Sequence, residues 1–81
     1  MQKKIGNKLM VKCHLSRLMG EKKIRIADLA RKTKLHRNTL SLLYNETAVR
    51  VDIETIEKLC MFFNCQVGEL FEYVENNKPN K

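Results

Sequence analysis

Arg37, Asn38, Ser41 and Leu42 share one side of a helix if residues 37–44 are helical. Their types match what the DNA major groove offers. Arg gives two parallel hydrogen bonds to guanine O6 and N7, and Asn does the same with adenine N6 and N7. Ser adapts to several edges, and a Leu side chain rests on a thymine methyl. Readers gathered near the start of a helix suit insertion of that end into a groove ~12 Å wide. The same residues would also serve as an ordinary solvated face, so the elements that position them decide between the two.

Apolar spacing is helical along nearly the whole chain, without sustained alternation of the strand kind. Val11, Leu15, Leu18 and Met19 predict a first helix over 8–22, with Asn7 as N-cap. Ala27, Leu29 and Ala30 predict a second over 26–33, and Leu35, Leu40 and Leu43 the buried side of a third over 37–44. Ile53, Ile56, Leu59, Cys60 and Phe63 predict a fourth, with Asp52 as cap and Val51–Ile56 as a hydrophobic staple. Asn64 stands where a helix ends in a left-handed residue. Val67, Leu70, Phe71 and Val74 predict a fifth helix. The expected fold class is all-α: five short helices in one compact domain over 8–75, after a basic arm at 1–7 and before a polar tail at 76–81. Helices two and three are joined too tightly to lie antiparallel, so they should cross steeply as a helix-turn-helix, with small Ala30 admitting the third helix closely.

Eighty-one residues hide only ~60% of the unfolded surface, which leaves little room for a cleft or a buried active site. The formal charge of +7 is split: residues 1–50 hold 13 Lys and Arg against 3 Asp and Glu, and residues 51–81 hold 3 against 6. A polyanion partner on one side is the natural reading. No apolar run approaches the ~20 residues of a membrane span, and no signal-peptide core follows the basic start, so a cytoplasmic protein away from the membrane is expected. Cys13, Cys60 and Cys65 form no CxxC, so reduced core thiols are expected rather than a metal or dithiol site. Neither a nucleophile–base set nor a Gly-rich phosphate loop occurs. An enzyme, a cofactor and a small-molecule effector are therefore not expected.

DLARKTKLHRNTLSLLYN and DIETIEKLCMFFNCQVGEL resemble the Cro/phage-repressor helix-turn-helix family, the xenobiotic-response-element type of bacterial regulator. The likeness runs from residue 9 to about 75, and its second stretch is close to small stand-alone members. It implies a lambda-repressor-like fold, a recognition helix at 36–44, base-reading by Arg37, Asn38, Ser41 and Leu42, and a phosphate contact by Asn45. Several positions depart from the family pattern. Lys34 replaces the turn Gly, Arg25 and His36 replace small hydroxyl caps, Ile26 replaces a phosphate-touching Gln, and Asn45-Glu46 replaces Asn-Gly. Either packing of Leu29, Ala30, Leu35 and Leu40 overrides the poor turn chemistry, or Arg25, Lys34 and His36, which lie at helix ends, exchange stability for contacts with phosphates, or both hold.

The expected function is therefore sequence-specific binding of double-stranded DNA by a transcriptional regulator, acting as a repressor by promoter occlusion. One helix reads few base pairs, so a homodimer on a palindromic operator is expected, with half-sites ~34 Å apart. Phe71, Tyr73 and Val74 are candidates for the dimer contact or for ordinary core. Lys3, Lys4, Lys8 and Lys12 are either a solvated charge run or an arm along the DNA. The rival is an antitoxin-like adaptor that grips a protein through exposed Leu42, Tyr44 and Phe62, with weak non-specific DNA binding.

Overall fold

The computed structural model describes residues 10–75. Strand β1 (Val11–Cys13) leads into α1 (Leu15–Lys22), α2 (Ile26–Thr33), α3 (Arg37–Tyr44), α4 (Ile53–Phe63) and α5 (Val67–Leu70), and β2 (Phe71–Tyr73) closes the order. Each helix sends one fully buried leucine into a shared core: Leu15, Leu29, Leu40, Leu59 and Leu70. Burying one such side chain contributes ~1.5–3 kcal/mol, so a small domain depends heavily on these five. Met19, Ala30, Leu43 and Phe63 fill between them.

Two corrections to the all-α expectation concern the ends. Residues 11–13 are a strand, and the first helix begins at Leu15 rather than at residue 8. The Asn7 cap, the 1–7 arm and the 76–81 tail lie outside the described residues. At the other end the helix stops at Leu70, and Phe71–Tyr73 turns extended. The two strands pair antiparallel with Val11 opposite Tyr73, Lys12 opposite Glu72 and Cys13 opposite Phe71. Bonds from His14 N–H to Leu70 O (2.8 Å) and Val74 N–H to Met10 O (2.6 Å) continue the ladder. His14 Nε2 lies 2.8 Å from a Glu72 carboxylate oxygen, a second tie between the strands. Apolar residues alternate with charged ones in both V-K-C and F-E-Y, so Cys13 and Phe71 face the core while Lys12 and Glu72 pair on the other side.

Helix α4 starts after Asp52 as expected, but the Asp52 side chain makes no capping bond. Val51 and Ile56 are partly buried against the core, consistent with the staple. Asn64 is left-handed at φ 53° and ends α4, with Cys65 N–H donating to Cys60 O at 3.0 Å.

Candidate nucleic-acid interface

Thr33 holds the turn between α2 and α3. Its hydroxyl donates to Leu29 O at 2.6 Å and accepts Leu35 N–H at 3.4 Å, so one buried side chain satisfies both sides of the bend. Lys34 follows in the left-handed region at φ 65°, with its N–H bonded to Ala30 O at 2.8 Å. That conformation costs a non-Gly residue ~1–2 kcal/mol. Neither Arg25 nor His36 caps its helix through its side chain. Ala30 and Leu40 are buried and Leu35 partly so, which packs α3 against α2. The arrangement fits a helix-turn-helix. Thr33 carried a signal that apolar spacing passes over: a hydroxyl residue at the end of a helix, two positions before a leucine.

Burying Leu40 and Leu43 turns the opposite side of α3 outward. Arg37, Asn38 and Leu42 are exposed, Ser41 is half-buried, and Asn45 is exposed at the C-cap. A groove on each side flanks this face. The first, of about 550 Å³, is lined by Ser16, Lys23, Arg25, Ile26, Arg37 and Tyr44 among others. The second, of about 280 Å³, is lined by Thr39, Leu42, Ala48, Arg50 and Asp52 among others. Cations thus stand on both sides of α3: Lys23 and Arg25 on one, Arg50 on the other. In 25–45 the only acidic residue is Asp28, and its carboxylate is already held by Arg31 at 3.1 Å. Basic side chains thus outnumber acidic ones within 25–45, the balance that suits a polyanion.

The structure brings Arg25 and Arg37 to one groove, whereas Lys34 lines a different one, between α2 and α4, with Lys32, Lys58, Met61 and Phe62. His36 is exposed at the N-cap of α3. Sequence reasoning missed Lys23 and Arg50 as neighbours of the exposed face of α3. The charges of Lys23 and Arg50 were visible, but their placement follows from how the end of α1 and the α3–α4 loop pack beside α3. Ile26 is partly buried against the core, so it serves packing. Phe62 is also half-buried, edge-to-face with Phe63 at 5.0 Å, rather than exposed.

Helix α3 ends in a paired-bond motif: Glu46 N–H donates to Leu43 O at 3.1 Å and Thr47 N–H to Leu42 O at 2.9 Å. Glu46 is the left-handed residue, at φ 58°. The three thiols are free, with Cys13 buried and Cys60 and Cys65 half-buried. Burial pushes the Cys13 thiol up from its ordinary range, and the nearby Glu46 charge adds to the effect. Burial likewise raises Cys65, with Cys60 beside it the next cause. Among the described residues no group of three or more His, Cys, Asp or Glu side chains is arranged to hold a metal ion. No described helix is long and apolar enough to cross a membrane.

Comparison with known proteins agrees with this geometry. The chain is similar to the uncharacterized HTH-type transcriptional regulator YozG of Bacillus subtilis (strain 168). The two are 27% identical over 56 residues, covering 69% of this chain and 67% of that protein. No solved structure matches the chain. The family model of the Cro/C1-type HTH DNA-binding domain matches residues 14–76, from the cap of α1 to just past β2. The chain therefore belongs to the Cro/C1-type helix-turn-helix family of DNA-binding domains.

Proposed function

We propose that the protein is a sequence-specific transcriptional regulator that inserts the N-terminal half of α3 into a major groove. The observation that carries this reading is the exposed Arg37–Asn38–Ser41–Leu42 face standing between two grooves that both carry cations. A groove bordered by two phosphate strands demands that layout: readers in the middle, positive charge on either side. Arg37 is assigned to a guanine and Asn38 to an adenine, Ser41 adapts, and Leu42 meets a thymine methyl. Arg25, Lys34, His36 and Asn45 are assigned to phosphates, and so are Lys23 and Arg50, which line the protein grooves that flank α3. The protein acts as a homodimer on a palindromic operator and represses by occluding the promoter.

The test is selection of the purified protein on a random duplex library at two salt concentrations. Enrichment of a palindrome is expected. Arg37→Ala should relax one position, at a cost of ~1–3 kcal/mol there, while Arg50→Ala weakens all sequences alike. Weak, uniform, salt-sensitive binding would refute sequence reading and favour the adaptor alternative, with a protein partner for α3.

A further inference from the structure

We infer that Glu46 is a positioning residue for α3, whose carboxylate straps the exit of that helix to the outer edge of β1. This rests on the proposal that α3 reads DNA. Three local preferences oppose Glu at this place. Its φ of 58° is strained for any residue with a side chain. An acidic residue past a helix C-terminus meets the negative end of the helix dipole. A carboxylate one residue from Asn45 also stands close to the face meant for a polyanion. A strained backbone of this kind is a reason to look for a role.

The long-range contact supplies one. Cys13 N–H donates to Glu46 Oε1 at 3.2 Å, across 33 residues of sequence. The ladder bonds of β1 to β2 run through Met10 and His14, so alternation turns the Cys13 amide to the opposite, free edge. Cys13 is buried, and without Glu46 its amide would have no partner there. The inward turn of the carboxylate also spends its charge on a peptide dipole rather than on a phosphate. Because β1 is itself paired with β2, the strap ties the end of α3 to the ribbon formed by the two ends of the domain. Glycine at 46 would relieve the backbone and remove the strap. The ribbon is thereby a brace that sets the angle at which α3 enters the groove.

The wild type, E46Q, E46A and E46G are compared by amide hydrogen exchange, by thermal melting, and by Kd for the duplex that the wild type selects. Gln keeps the acceptor, so it should retain Cys13 amide protection and wild-type Kd. Ala and Gly should lose protection at Cys13 and in the last turn of α3, with Kd raised roughly tenfold. Gly, freed from the left-handed strain that Ala keeps, should nevertheless melt higher than E46A while losing as much affinity. That separates positioning from a simple loss of fold, in which affinity and Tm would fall together. Wild-type Kd in E46G overturns the inference, as do unchanged Cys13 protection in E46A and E46G or a failure of E46Q equal to theirs. A wild type that selects no duplex overturns the DNA-reading proposal instead, and the exchange data still decide whether the strap exists.

Discussion

Lys34→Gly should stabilise this domain while leaving its packing untouched. Lys34 sits at φ 65° and ψ 24°, and its exposed side chain contributes little to the core. Relieving the left-handed strain returns ~1–2 kcal/mol. The greater freedom of Gly in the unfolded chain takes back ~0.5–1 kcal/mol. A net gain of ~0.5–1 kcal/mol corresponds to about 2–8 °C in Tm for a domain of this size. Thermal melts followed by circular dichroism, with urea titrations at fixed slope, would measure it. Lys34→Ala is the control, since it removes the same charge from beside Lys32 and Lys58 but keeps the strain. A Gly variant that melts lower refutes the strain reasoning. An Ala variant that rises as much as Gly refutes it too, because charge repulsion would then be the cause. If Lys34 also touches phosphate, both variants should lose salt dependence by ~0.9 in slope.

Two further outcomes follow from the core. Leu40→Ala empties a fully buried site under α2 and should cost ~2–5 kcal/mol, enough to remove most of the cooperative melt of so small a domain. A loss below ~1 kcal/mol in urea unfolding would mean that α3 is not anchored there. Because burial raises the Cys13 pKa, the folded state holds that proton more tightly than the unfolded state does. Its contribution is fully present below the ordinary thiol pKa of ~8.5 and is lost as pH rises through the folded value. Stability measured from pH 7 to 10 should therefore fall more steeply in the wild type than in Cys13→Ala, and equal slopes would contradict the burial effect.

Much of the helical frame was legible because local periodicity alone specifies it. Leu29 with Ala30, and Leu40 with Leu43, gave the α2–α3 pair and its outward face, which the structure places at nearly the expected bounds. Asn64 was readable as a helix stop because Asn tolerates the left-handed region. Lys34 was readable as a strained turn only through the family resemblance, which implies Gly there. The ribbon was harder to see. V-K-C and F-E-Y do alternate, but three residues fit a helical period as well, and Val11, Leu15 and Leu18 favoured the helix.

What turns those triplets into strands is each other, paired from opposite ends of the domain, and no local window contains that information. The same holds for the site. Residue types fixed which side chains could read a base, since hydrogen-bonding chemistry belongs to the residue itself. Only tertiary packing decided that Lys23 and Arg50 stand beside α3, that Lys34 lines a separate groove, and that Glu46 reaches Cys13. Periodicity and chemistry are properties of nearby residues, whereas groove walls and straps are made by residues that meet only after the chain has folded.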